Sequence, residues 1–523
     1  MTLKRLVLIG LTAIAALFLI TDLVSSFSKP QFQSRLALYE LDLRLHLSAL
    51  QNPKSESSGI DQQLAKMVQE SGSPVKAALT EYAKSRKQVQ STLTTLEPKI
   101  QAAQAIATPN SPLKPATELA TLQAEAQTQQ KNLEELTLRL GLLQVTDAQT
   151  EAAQQSWTEL TTNGQSSSAT RQAATVLNGL WNDPPRILAD AEPTLKSTLD
   201  GWYQYRALDR LYNLQDRTAE SLELQQQERK TAETVITTLG VTGLTTTAAL
   251  ITGVILGLTT LGQWAWKKEE AWLGNLNAMR WEVKWDWEDT WLVMVAGFFL
   301  VGQLIVGIAV APLLRLVLGT LQTQFAFTDD IYKGLAVLTS YGALAAGSLG
   351  VLYLTIKPHL PLPNNWFRIS LKGPWLSWGL GGYLVAFPLV LSVSILNSQI
   401  WQGQGGSNPL LPLVLEGRSP IALGLFLVTT AIAAPLFEEI LFRGFLLPSL
   451  TRYLTPWKAV LLSAVIFAVV HLSLAEMIPL TVLGIMLGIV YTRTQNLLAS
   501  ILLHSLWNGG TILSLYLLGS ANR

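Results

Sequence analysis

Phe437-Glu438-Glu439-Ile440-Leu441-Phe442-Arg443-Gly444-Phe445 sets two carboxylates and a guanidinium inside an apolar run that starts at Ile421. On insertion scales a charge at bilayer depth costs about 2.5–3.5 kcal/mol, so charges kept there pair tightly or carry function. The surroundings of this stretch decide the fold. From about 235 to 520 the chain is a succession of apolar runs, each near the roughly 20 residues a helix needs to cross a bilayer. Residues 30–233 are instead rich in Gln, Ala, Thr, Leu and charge. Of 523 residues, 49% are hydrophobic and 14% charged, where soluble domains carry about 25% charged residues. The mean hydropathy is +0.28.

The expected fold is all-α: a polytopic membrane helical bundle of about nine spans, with an extramembrane helical or coiled-coil domain inserted after the first. Lys4 and Arg5 precede an apolar run from Leu6 to Ile20, read as an uncleaved anchor or a signal within 1–29. Further spans are expected near 235–262, 291–318, 332–356, 376–399, 419–447, 457–474, 476–492 and 496–518. Four segments follow: the anchor at 1–29, a helical domain at 30–233, leading spans with a Trp-rich interfacial stretch at 234–375, and a terminal bundle at 376–523. Basic residues set the orientation. Lys267, Lys268, Arg280, Lys284, Lys357, Arg368, Lys372, Arg452, Lys458 and Arg493 fall on one side, against Arg315, Lys333, Arg418 and Arg523 on the other. Ten against four puts the N-terminus inside and the helical domain outside.

Within that domain, Leu119, Ala126, Leu133 and Leu140 fall at heptad position a, and Leu122, Gln129, Leu136 and Leu143 at d. That is a coiled-coil seam. Breaks are expected at 71–74, 109–112, 163–164 and 183–185. Trp264, Trp266, Trp272, Trp281, Trp285, Trp287 and Trp291 are read as an interfacial belt. A net charge of +1 without a basic cluster argues against a nucleic-acid partner. The absence of cysteine excludes disulfides, thiolate metal sites and cysteine nucleophiles.

Two of only four histidines lie in the last apolar runs, in Phe467-Ala-Val-Val-His471 and His504-Ser-Leu-Trp-Asn508. Glu439 and Arg443 are i and i+4, carboxylate first, the favourable order for a helical ion pair. Glu438 points about 100° away on an ideal helix, toward a separate pocket. His504 and Asn508 share a face, as do Phe467 and His471. Counted from the basic ends, Glu438 and His471 lie roughly 20 Å deep and His504 roughly 16 Å. A glutamate at that level can take a proton from water, and imidazoles can orient the water or protonate a leaving amine. The same set, Glu438, His471 and His504, would also suit Zn²⁺ with an open position. An Asn508 amide N–H could stabilise an oxyanion. Neither H-E-x-x-H nor G-x-S-x-G is present.

Glu-Glu-x-x-x-Arg at 438–443, Phe-x-x-x-His at 467–471 and His-x-x-x-Asn at 504–508, in order in late membrane helices, resemble the CAAX protease and bacteriocin-processing family. These are intramembrane endopeptidases, grouped with abortive-infection proteins and type II CAAX prenyl endopeptidases. The resemblance covers about 376–518. It implies that Glu438 and His471 activate water. By it, Glu439 assists and pairs with Arg443, and His504 with Asn508 binds a metal or the oxyanion. The implied substrate is a membrane-associated protein or peptide in the lipid bilayer. The helical domain, which the family does not require, reads as a spacer or alternatively as a docking platform for a protein partner or substrate. A bacterial inner membrane and a photosynthetic membrane both suit the composition. Two other classes compete: a membrane assembly or scaffold protein working through its helical domain, and a proton-coupled transporter.

Overall fold

The computed structural model describes every residue except 1, 28, 30, 52–72, 107–112, 275 and 522–523. It is helical, with no strand among the described residues. The contacts divide it into two units, one of Met1–Phe32 with Val241–Ser520, the other built on Gln33–Gly240.

The helices, in order, are α1 (Leu3–Ser26), α2 (Phe32–His46), α3 (Pro74–Ile106), α4 (Leu113–Thr146), α5 (Thr150–Thr162), α6 (Ser168–Leu180), α7 (Ala191–Thr198) and α8 (Gly201–Leu214). Then come α9 (Thr218–Lys267), α10 (Trp287–Phe325), α11 (Asp329–Ile356), α12 (Trp375–Trp401) and α13 (Leu410–Glu416). The last four are α14 (Pro420–Leu450), α15 (Pro456–Val469), α16 (Leu474–Thr494) and α17 (Leu497–Ser520).

Among the described residues, eight helices are long and apolar enough to cross a membrane: α1, α9, α10, α11, α12, α14, α16 and α17. The protein is thus a multi-pass integral membrane protein. The ninth expected span, 457–474, stops early as α15, 14 residues long. At 1.5 Å per residue it reaches about 21 Å, short of a hydrocarbon core about 30 Å thick. The helix gives way at Val470-His471, where Leu472 takes a left-handed conformation (φ 58°).

The first turns of α1 and α10 are joined. Lys4 Nζ donates to Asp289 at 2.8 Å and Arg5 Nε to Glu288 at 2.7 Å. Asp286 caps the start of α10 by accepting from Glu288 and Asp289 N–H. The two starts therefore lie at one end of the bundle, where the charge count places both.

The Trp-rich stretch is not a uniform belt. Trp264 and Trp266 are 53% and 89% exposed, as interfacial residues are, but Trp281 and Trp285 are core residues. Trp285 stacks on Phe445 with centroids 5.5 Å apart, and its Nε1–H donates to Ser449 Oγ at 2.9 Å. Trp281 stacks on Tyr491. An indole whose N–H finds a partner, or whose face finds a ring, gains more from the core than from the headgroup level.

In the helical unit α3 and α4 lie side by side. Seam residues Leu140 and Leu143 are buried, but so are Leu138 and Leu142, off the seam. The second half of α4 is thus enclosed all round within a bundle whose core includes Trp157, Leu177, Leu195 and Leu211. The breaks at 163–164 and 183–185 fall between helices; residues 71–72 and 109–112 lie outside the described residues.

One buried polar knot pins this unit. Asp42 on α2 accepts from Tyr82 Oη on α3 at 2.8 and 2.9 Å, from Tyr203 Oη on α8 at 2.7 Å and from Arg139 Nη1 on α4 at 3.1 Å. Burial pushes its carboxyl up to about 6, with Arg139 and both hydroxyls pulling the other way. Asp42→Ala strands two buried hydroxyls at about 1–3 kcal/mol each and removes a buried partner of Arg139. The expected result is a loss of roughly 3–5 kcal/mol, read at neutral pH as lost hydrogen-exchange protection in α2, α3 and α8 of the full-length protein. Unchanged protection there would contradict the pinning role.

Candidate active site

The opening stretch lies on α14, which is not a regular α-helix. It is π-helical over Val428–Ala433 and again over Glu439–Leu446. Such wide turns recur at functional sites. The first has a traceable cause and consequence. Ala434 N–H bonds to Thr429 O, an i→i−5 register. In that register Thr430 O should be met by residue 435, but Pro435 has no N–H. Asn508 Nδ2 on α17 donates to Thr430 O instead, at 2.9 Å. Asn508 thus fills a backbone vacancy and has one N–H left over.

The second π turn carries the charges. Glu439 and Arg443 are both fully buried. Arg443 Nη1 donates to Glu439 Oε1 at 2.8 Å, the pairing expected from their spacing. Arg443 Nη2 donates to Gly484 O on α16 at 3.2 Å, and its Cζ sits 4.4 Å from the Phe467 ring centroid. Gly484 is required there: a methyl at its Cα would lie 2.9 Å from Ala464 Cβ and 3.0 Å from Ala464 Cα on α15. These contacts offset part of the cost of taking the guanidinium out of water, while its Nε is left without a hydrogen-bond partner.

His504 on α17 joins the two glutamates. Its Nδ1 lies 2.9 Å from Glu439 Oε1 and its Nε2 lies 3.8 Å from Glu438 Oε2. The two carboxylates therefore face one imidazole rather than separate pockets, their long side chains converging on it from neighbouring positions. With Nδ1–H on Glu439, the neutral ring presents the Nε2 lone pair toward Glu438.

Glu438 is held at one oxygen only. Tyr341 Oη on α11 donates to its Oε1 at 2.8 Å. Its Oε2 is buried without a hydrogen-bond partner, although the side chain as a whole keeps 15% exposure. A buried carboxylate oxygen left bare is uncommon; Glu439 Oε2 is a second one, but on a side chain that is wholly enclosed, whereas Glu438 keeps some exposure.

His471 sits in the turn after α15 rather than within a span, and is half-buried. Its Nδ1 bonds to Phe467 O at 2.7 Å, which leaves Nε2 free to act. The Phe467 ring is the shared support, edge-to-face with His471 (4.8 Å) and with His504 (5.7 Å). Glu476, at the start of α16, lies within electrostatic reach of His471 and accepts from Asn408 N–H at 3.0 Å.

Glu438, Glu439, Arg443 and His504 thus form one cluster, with Asn508 a turn further along α17 and His471 across Phe467. Among the described residues, no group of three His, Asp or Glu gathers closely enough to hold a metal ion. No step below runs through Zn²⁺. The reading of the sequence missed Tyr341, Thr430 and Gly484. Pro435 signals a freed carbonyl and so points toward Thr430. Tyr341, one of three tyrosines on α11, carries no such spacing signal.

Residues 420–510, which hold all three motifs, match the family described as Type II CAAX prenyl endopeptidase Rce1-like. Among curated relatives, the UPF0177 protein YxdF of Lactococcus lactis subsp. lactis (strain IL1403) is 28% identical over 175 residues, 33% of this chain and 89% of that one. YdiL of Bacillus subtilis (strain 168) is 31% identical over 132 residues, 25% of this chain and 52% of that one. The membrane-embedded CAAX protease MroQ of Staphylococcus aureus (strain USA300) is 28% identical over 145 residues, 26% of this chain and 57% of that one. The chain spans about half the length of the last two. No solved structure matches it. The C-terminal bundle therefore resembles the CAAX protease and bacteriocin-processing family in overall sequence as well as in its motifs.

Proposed function

We propose that this protein is a membrane-embedded endopeptidase that hydrolyses peptide bonds of a membrane-associated protein or peptide, with Glu438 as the base. The family match over 420–510 and the CAAX protease among the relatives support the class. The observation that carries the mechanism is Glu438: one oxygen anchored by Tyr341, the other buried and bare beside His504 Nε2.

The 3.8 Å between Oε2 and Nε2 is too long for a direct hydrogen bond. The proposed mechanism takes a water to enter and bridge the two, about 2.8 Å from each. In this reading Glu438 takes a proton from that water as its oxygen adds to the scissile carbonyl carbon. The carbonyl oxygen becomes an oxyanion, met by the second N–H of Asn508. As the C–N bond breaks, the amine nitrogen receives a proton through His471, and Glu438 releases its own. Glu439 fixes the His504 tautomer through Nδ1 and balances Arg443. The helical unit is the proposed site for recruiting the substrate protein.

His471→Ala tests the division of labour. The expected result is a fall of about 10²–10⁴-fold in cleavage of a membrane-inserted peptide, with unchanged folding in detergent. Full activity in this variant would remove His471 from the mechanism.

A further inference from the structure

Tyr341 lies on α11, about 80 residues before the 420–510 segment that carries the family match, and no motif includes it. It nevertheless makes the hydrogen bond that holds Glu438 Oε1, at 2.8 Å. We infer that Tyr341 is the positioning residue for the base, so that α11 completes the active site from outside the segment that matches the family. This rests on Glu438 acting as the base.

The observations are geometric. A carboxylate on a long side chain has two oxygens that exchange by rotation about its last bond, so a bare oxygen beside His504 is not fixed by burial alone. The Tyr341 hydroxyl removes that freedom: Oε1 is taken, and Oε2 is the oxygen that faces Nε2. The tyrosine ring is itself fixed, standing edge-on to Phe437 with centroids 6.0 Å apart. Phe437 precedes Glu438 directly, so the ring reads the same turn of α14 twice, once by packing and once by hydrogen bond.

Helix α11 is held close on both sides. Toward α14, a methyl at Gly334 would lie 3.0 Å from a Leu425 methyl. Toward α10, a methyl at Gly302 would lie 2.6 Å from Ser348 Oγ, and Ser348 donates to Gly297 O at 3.3 Å. Small residues allow this approach between membrane helices. The wedge fixes the helix, and the helix fixes the hydroxyl. The leading spans therefore belong to the chemistry and are not only an anchor for the helical domain.

The test is Tyr341→Phe, which keeps the ring and its Phe437 contact and removes only the hydroxyl. Cleavage of a membrane-inserted peptide by the full-length protein in detergent should lose about 10- to 10²-fold in kcat, with KM unchanged and only the small fall in thermal stability that loss of one hydrogen bond brings. A second comparison uses Glu438→Asp, whose shorter carboxylate withdraws from the hydroxyl. Adding Tyr341→Phe to that variant should change kcat by less than about twofold, the sign of one shared interaction. Wild-type kcat in Tyr341→Phe would overturn the inference. So would a loss that merely tracked a fall in thermal stability, which would make the hydroxyl structural, and so would full additivity with Glu438→Asp. If Glu438→Gln kept full activity, the base assignment would fail first, whatever Tyr341 did; if Glu438→Gln were inactive and Tyr341→Phe silent, only the positioning role would fall.

Discussion

Arg443→Met is expected to lower the unfolding free energy by about 3–5 kcal/mol, because it leaves Glu439 as an uncompensated buried charge. Three contacts go at once: the 2.8 Å bond to Glu439, the bond to Gly484 O and the position over the Phe467 ring. The last two tie α14 to α16 and α15, so the loss spreads beyond one pair. Glu439 Oε1 also meets His504 Nδ1, so activity should fall with stability as the imidazole loses its fixed partner. The double variant Glu439→Gln/Arg443→Met removes both charges and should recover part of the stability, since residues in one network are not additive. Thermal unfolding in detergent, followed by retention of the monodisperse folded species, measures both. Equal stability of Arg443→Met and the native protein would show that the pair does not hold the helix.

Glu438→Gln is expected to act in the opposite way. The amide keeps an acceptor oxygen for Tyr341, so packing and thermal stability stay at the native level. What goes is the carboxylate that takes the proton from water. A positioned general base contributes about 10²–10⁴-fold to such a reaction, and cleavage by the purified protein should drop by that factor with little change in KM. The contrast between neighbours is the useful result. Glu439 and Arg443 are needed for the fold and, through His504, for the site. Glu438 is needed for chemistry alone. A Glu438→Gln protein that cleaved at the native rate would transfer the base role elsewhere.

Much of this site was legible because its parts are polar residues inside apolar runs. Glu438, Glu439, Arg443, His504 and Asn508 stand out for that reason alone, and the i, i+4 spacing pairs Glu439 with Arg443 correctly. What the sequence could not supply was where long side chains meet: Glu438 and Glu439 reach the same imidazole, although successive positions on an ideal α-helix point about 100° apart. Nor does hydropathy show that α15 stops at Val469 and leaves His471 in a turn. Trp281 and Trp285 have the composition of a membrane-interface belt, and only the rings and Ser449 that meet them reveal core positions. Tyr341 is the clearest case of a contact invisible from spacing, since its partner lies 97 residues away. The helical heptads show the opposite limit. Their seam is real in sequence, yet Leu138 and Leu142 are buried as well because further helices surround α4.

The central claim is that this protein cuts other membrane-associated proteins, using Glu438. Its most direct test compares protein termini in membranes of cells that express either the native chain or Glu438→Gln at equal levels. New N- and C-termini that pair at a single peptide bond, present with the native chain and absent with the variant, are the result expected. Identical sets of termini in both, with the native protein folded and abundant, would contradict the claim.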